Sequence, residues 1–203
     1  MTIFYLLRHG QTYANQKGIL QGCLNTSLTY LTPAARQATQ RYQNFLDSRK
    51  IDQVFSSPLI RAVQTSQIIC HHDPQILHFD NRLTELSYGQ WNGMALTEIK
   101  QRFARYFDPF FQEVVVSSSE ISQGESFAHA QARVYDFLQT QSVSFPQQRL
   151  LLVTHGWIIK TIVAHCFEQV AGNIFLTPAN LSVTKIEITP GNSCGRVIYF
   201  NQF

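Results

Sequence analysis

Two apolar runs that stop at a histidine and a glycine constrain this chain more than any other feature. Ile3-Phe4-Tyr5-Leu6-Leu7 leads into Arg8-His9-Gly10, and Leu150-Leu151-Leu152-Val153-Thr154 leads into His155-Gly156. A run that is apolar at nearly every position, and not at every second one, reads as a strand buried on both faces. Such strands need cover on two sides, and the sequence between them supplies helical patterns. Pro33 opens one over about residues 32–48, with Ala35, Ala38, Tyr42, Phe45 and Leu46 at helical spacing. Val54-Phe55-Ser56-Ser57-Pro58 reads as a further strand breaking into a helix, with Pro58 suited to its first turn. Ser182–Ile188 and Arg196–Phe200 read as late strands joined by the turn Pro190-Gly191-Asn192. Strands alternating with helices predict a layered α/β sheet. The stretch from about 93 to 124 breaks the alternation and reads as an insertion or lid within a single domain spanning 1–203.

The polar residues sit where the strands end. Arg8 and His9 close the first strand, Ser57 and Arg61 follow the second, and His155 and Gly156 close the third. Ligands of open α/β sheets bind beyond the carboxyl ends of the strands, so these junctions are expected to meet. Two arginines and two histidines there would form a cationic pocket suited to a dianion such as phosphate. The following helix N-termini would add backbone donors.

Composition excludes several classes. Against 13 acidic residues the chain has 16 Lys and Arg, a formal charge of +3 with no basic block, which argues against a nucleic-acid binder. The most apolar long stretch, Leu150 to Phe167, carries Thr154, His155, Lys160 and His165 and makes a poor membrane span. No secretory leader is legible at the N-terminus, so Cys23, Cys70, Cys166 and Cys194 are expected to be reduced thiols in a cytoplasmic protein. His71-His72-Asp73 with His78 fits no standard zinc spacing and reads as a solvated loop.

Taken in order, the motifs resemble the histidine phosphatase superfamily, the phosphoglycerate mutase-like group. Leu7 to Asn15 is similar to the signature R-H-G-x-[ST]-x-x-N, followed by the small polar pair Gln21-Gly22. Ser57 to Thr65 resembles S-x-x-x-R-A-x-Q-T, and Leu83 to Gly93 resembles L-x-E-x-x-x-G-x-x-x-G. Gly124-Glu125-Ser126, Val153-Thr154-His155-Gly156 and Asn180-Leu181-Ser182-Val183 match the remaining blocks. Independent motifs in fixed order multiply their specificity. Asn25 stands where the family often has Asp, and a glycine usual near Ala34-Ala35 is missing. Both departures bear on substrate contacts more than on the chemistry.

The resemblance implies a three-layer α/β/α sandwich with a mostly parallel mixed sheet and a helical lid. It also implies a two-step transfer through phosphohistidine. His9 would be the nucleophile, with its other ring nitrogen held by a backbone carbonyl and Gly10 allowing that approach. Arg8, Arg61 and His155 would bind the phosphoryl oxygens, Asn15 would add a neutral donor, and Glu85 would serve as general acid and base. Gln21 and Gly22 are carried over as substrate-binding positions. Gly156 is read either as a phosphate donor or as a tight turn, and Tyr88 either as a substrate contact or as a core ring. No cofactor or metal is implied, since Arg and His supply the charge. A homodimer is consistent with the family. Glu125 and Ser126 read as helix-capping residues, Arg133 as structural, and Cys23 as an inert thiol near the pocket mouth.

Three readings follow from the resemblance: a phosphatase of small phosphomonoesters, a 2,3-bisphosphoglycerate-dependent phosphoglycerate mutase, and a non-catalytic phospholigand-binding module. Mutases of this kind carry more Arg and Lys after the acidic Glu. Here that segment offers Lys100, Arg102 and Arg105 among Phe103, Tyr106, Phe107, Phe110 and Phe111. The phosphatase reading is favoured, and the aromatic segment is expected either to cover the leaving group or to pack the insertion.

Overall fold

The computed structural model describes residues 1–167, 176–189 and 195–203. Its strands are β1 (Thr2–Arg8), β2 (Gln53–Ser56), β3 (Leu77–Phe79), β4 (Phe107–Asp108), β5 (Glu113–Val114), β6 (Arg149–Thr154), β7 (Val183–Ile188) and β8 (Gly195–Gln202). Its α-helices are α1 (Tyr13–Gln16), α2 (Pro33–Gln40), α3 (Gln43–Arg49), α4 (Ile60–Ile69), α5 (Leu96–Arg102), α6 (Ser118–Ser122), α7 (Phe127–Ser144) and α8 (Gly156–Cys166). Six strands form one sheet in the order β3-β2-β6-β1-β7-β8. β3, β2, β6 and β1 run parallel, while β7 and β8 are antiparallel.

Both faces of the sheet are covered, and β1 shows how. Phe4 and Leu6 enter one core with Leu150, Leu152, Phe137, Ile158 and Ile162, under α7 and α8. Tyr5 and Leu7 enter the other with Leu151, Val153, Leu46, Ala62 and Ile69, under α3 and α4. The period of two along a strand therefore divides one apolar run between two cores, giving the expected three layers. β1 and β6 are neighbours in register, with Arg8 opposite Thr154. Their C-terminal ends bring His9 and His155 together, with ring centroids 5.2 Å apart.

Three local expectations change. The helical pattern over 32–48 is two helices, not one, broken at Arg41 and Tyr42. The break lets the Tyr42 hydroxyl donate to the carbonyl of Leu181 while Leu46 enters the core. Pro58 lies ahead of the first turn of α4, which begins at Ile60. That end is satisfied from elsewhere: Leu59 N donates to Ser57 Oγ at 3.3 Å and Ile60 N to Asn25 Oδ1 at 3.0 Å. Thus Asn25 holds a helix N-terminus through its side-chain carbonyl. The segment 93–124 contains the two-stranded β4–β5 hairpin beside α5 and α6. The turn at Pro190–Asn192 and Cys194 lie outside the described residues. Cys23, Cys70 and Cys166 form no disulfide, and no described helix is long and apolar enough to cross a membrane.

Candidate active site

A cavity of about 290 Å³ opens at the carboxyl end of the parallel strands. Its wall includes Arg8, His9, Asn15, Gln21, Gly22, Arg61, Glu85, Tyr88 and Gly156, nine of the ten residues expected at the site. His155, the tenth, is fully buried behind the wall against the ring of His9.

His9 leaves the end of β1 with its backbone pinned on both sides. Its N–H donates to Thr154 O at 3.0 Å, and its carbonyl accepts from Asn180 Nδ2 at 2.9 Å. Its Nδ1 lies 2.8 Å from Gly10 O, so it must carry the proton, which leaves Nε2 as the basic nitrogen. Gly10 N donates to Thr65 Oγ1 at 3.0 Å, tying the loop to α4. Burial drives His9 far toward the neutral form, reinforced by Arg61 and Arg8 and opposed by the Gly10 carbonyl. His155 is driven the same way, first by burial and then by Arg61 and His9. Its Nε2 pairs with Ser57 Oγ at 2.7 Å.

The arginines are buried and held by carbonyls. Arg8 Nη1 donates to Pro178 O at 2.6 Å, and Arg61 Nη2 donates to Gly22 O at 2.6 Å. Gly22 has φ +48°, and a Cβ there would stand 1.8 Å from Asn92 Oδ1, so the turn that presents its carbonyl requires glycine. Burial lowers both guanidinium pKa values, that of Arg61 to about 10, so both remain charged at neutral pH. Arg8 Nε, Arg61 Nε and His155 Nδ1 are buried with no hydrogen-bond partner among the described residues. Buried polar atoms are nearly always paired, so three such atoms around one histidine mark an oxyanion-binding locus.

Glu85 faces them across the cavity. Its carboxylate accepts from Leu86 N at 3.0 Å and from Trp157 N at 3.4 Å. Burial raises its pKa above the ordinary carboxylate value, outweighing Arg61, the two backbone donors and Arg8. Asn15 Oδ1 accepts from Thr12 N at 3.1 Å, which leaves its amide NH₂ as the donating end. Gln21 pairs with the Thr12 hydroxyl at 3.0 Å. Tyr88 is buried, as a core ring would be, and also borders the cavity. Gly156 begins α8, and a Cβ there would stand 2.6 Å from Thr177 Cγ2 and 3.4 Å from the Arg8 guanidinium. Its small size therefore serves close packing beside Arg8.

The supporting residues divide as their positions suggest. Ser126 caps α7 by accepting from His129 N at 3.1 Å. Glu125 does not cap; it pairs with Arg133 through two bonds of 2.8 and 2.9 Å. Arg133 in turn donates to Arg82 O at 2.6 Å and to Glu85 O at 3.4 Å, bracing the loop that carries Glu85. Cys23 Sγ donates to Glu85 O at 3.0 Å. His78 leaves the histidine cluster to pair with Gln53 at 2.7 Å. Of the aromatic segment, Phe111 lines the cavity, Phe103 and Tyr106 pack on Trp91, and Phe110 is exposed. Sequence reasoning missed Glu113, Gln112, Trp157 and Thr177 on the wall. No motif marks them: Gln112 and Glu113 come from the insertion, Trp157 from the first turn of α8, and Thr177 from the segment ahead of β7.

The chain is similar to known proteins over nearly its whole length. The family model described as the histidine phosphatase superfamily (branch 1) matches residues 4–199. Phosphoserine phosphatase 1 of Hydrogenobacter thermophilus is 28% identical over 155 residues, covering 76% of this chain and 71% of that protein. The solved structure of Bacillus stearothermophilus YhfR superposes with a TM-score of 0.85 at 27% identity, covering 100% of this chain and 98% of that one. A mycobacterial glucosyl-3-phosphoglycerate phosphatase superposes with a TM-score of 0.78 at 25% identity, covering 99% of both chains.

Proposed function

Since the chain belongs to the histidine phosphatase superfamily, we propose that it hydrolyses small phosphomonoesters through a phosphohistidine on His9. The carrying observation is the set of three unpartnered buried nitrogens, on Arg8, Arg61 and His155, around a histidine whose Nδ1 is already committed to Gly10 O. A phosphoryl group supplies the acceptor oxygens that these nitrogens lack.

The first step forms a bond from His9 Nε2 to phosphorus and breaks the bond from phosphorus to the ester oxygen. Glu85, whose hold on its proton is strengthened by burial, gives that proton to the departing alkoxide. Water then attacks phosphorus, its proton passes to the Glu85 carboxylate, and the P–N bond breaks to release phosphate. Arg8, Arg61, His155 and Asn15 hold the equatorial oxygens and spread their charge. This sequence needs no metal, because the two guanidinium groups supply the positive charge.

The wall favours hydrolysis over mutase chemistry. A bisphosphorylated intermediate needs a second cationic subsite, yet Arg8 and Arg61 are the lysine and arginine side chains on the described wall. Arg102 pairs with Glu98, Arg105 donates to Tyr106, and Lys100 reaches Gln112. The remaining wall, with Ile19, Leu20, Leu96, Phe111, Val114 and Trp157, suits a neutral or apolar alcohol. The test incubates the protein with an aryl phosphate in chelator, beside His9→Ala. Phosphate release that vanishes in the variant is expected. Activity confined to 2,3-bisphosphoglycerate with phosphoglycerate would establish the mutase instead, and no phosphoenzyme under either condition would establish the binding module.

A further inference from the structure

Lys160 is a charged side chain that the proposed chemistry does not use. It lies in the middle of α8 with its side chain only 2% exposed. Burying an ammonium is costly unless it is paired. Its partner is Glu113, on β5 of the hairpin that forms part of the cavity wall. Lys160 Nζ donates to Glu113 Oε2, while Glu113 Oε1 accepts from the Thr177 hydroxyl and from Thr177 N at 3.1 Å. The next residue, Pro178, offers the carbonyl that receives Arg8 Nη1 at 2.6 Å. A continuous path therefore runs from α8 through the hairpin and residues 177–178 to a guanidinium of the oxyanion pocket. Gly156 permits it, since a Cβ there would collide with Thr177.

We propose that Glu113 is a positioning residue: by clamping Lys160 with one oxygen and Thr177 with the other, it couples seating of the β4–β5 hairpin to the placement of Arg8. This rests on the phosphatase reading only in taking Arg8 as a phosphoryl ligand. The carboxylate is the one group on the path that accepts from both sides. A glutamine keeps the shape but turns one of the two oxygens into an NH₂ donor, so it cannot accept from Lys160 Nζ with one oxygen and from Thr177 N with the other. Residues 177–178 then lose their anchor, and Arg8 loses a fixed carbonyl. Misplacing an oriented group by about 1 Å costs as much as 10²-fold.

The test is calorimetric titration of inorganic phosphate, which needs no turnover. Wild type and Lys160→Arg, which preserves the ion pair, are expected to bind with affinities within about twofold of each other. Glu113→Gln is expected to bind about tenfold or more weakly while still folded at the assay temperature. Should Glu113→Gln fail to fold, Glu113→Leu with Lys160→Met removes both charges and serves in its place, with the same expected loss. Phosphate binding within twofold of wild type in the folded variant overturns the coupling. Failure of the wild type itself to bind phosphate overturns the oxyanion pocket, and so the phosphatase reading with it.

Discussion

Burial acts on His9 and Glu85 in the same direction, toward the uncharged form. At their ordinary values of 6.5 and 4.5 the carboxyl would lose its proton before the imidazole became a free base. The depressed histidine and raised carboxyl move the pair toward the order that nucleophilic attack with acid assistance requires. The expected pH profile of kcat/KM rises as His9 deprotonates and falls as Glu85 deprotonates. Glu85→Gln is expected to abolish the alkaline fall and to lower kcat by about 10²-fold to 10⁴-fold on alkyl phosphates. The loss should be smaller on an aryl phosphate, whose better leaving group needs less acid. Steady-state pH profiles on both substrates check this, and a retained alkaline limb in Glu85→Gln would assign that limb to another group.

At the scale of elements, the loop carrying Glu85 is braced from α7. The side chains of Arg133 and Glu125 are each 14% exposed and joined by two hydrogen bonds, and Arg133 also holds the carbonyls of Arg82 and Glu85. Removing Arg133 leaves the Glu125 carboxylate with His129 as its remaining side-chain partner. Arg133→Met is expected to cost about 1–3 kcal/mol, read from the shift in urea midpoint at unchanged slope. Because the arginine also orients the Glu85 backbone, kcat should fall in the variant while it remains folded. The same loop meets α6 at Gly89, where φ is +54° and a Cβ would stand 2.1 Å from Ser122 O. That contact and those with Gln123 C and Gly124 N at 2.6 Å are all backbone, so Gly89→Ala cannot be absorbed by a rotamer change. It is expected to destabilise by more than the roughly 1 kcal/mol of an ordinary loop substitution. The motif made Glu85 and Gly89 legible. The brace was legible only as a structural arginine, because the carbonyls of Arg82 and Glu85 that it holds carry no sequence signal.

At the scale of the molecule, the buried histidines link stability to pH. His9 and His155 have folded pKa values well below 6.5, so the unfolded chain binds protons that the folded chain refuses. Stability is therefore expected to fall as pH drops below about 6.5, by up to ~1.4 kcal/mol per pH unit for each histidine, until the folded values are reached. Glu85 has the opposite sign, since its raised folded pKa makes the folded state gain stability on acidification toward 4.5. Two histidines against one carboxyl leave a net acid loss. Denaturant midpoints between pH 7 and pH 5 should show it, and His155→Gln should flatten the slope. An unchanged slope in that variant would mean that His155 does not titrate as its burial requires.

The sequence by itself determined the sheet and most of the site. Apolar runs ending in Arg8-His9 and in His155-Gly156 can be satisfied only as strands buried on both faces, and parallel neighbours bring their ends together. The resemblance to the family then named ten residues, nine of which share the cavity wall. The tertiary structure decided what spacing cannot encode. The helical pattern at 32–48 breaks at Arg41 and Tyr42, where Tyr42 reaches Leu181, a contact 139 residues away. α4 starts on Asn25, and His155 stands behind His9 on Ser57. Glu113 joins the site because a buried lysine on α8 needs a counter-charge, which the hairpin supplies. Each of these is a contact between residues far apart in the chain, set by the elements packed around a group and not by its neighbours in sequence, and where the group is buried its desolvation is set the same way.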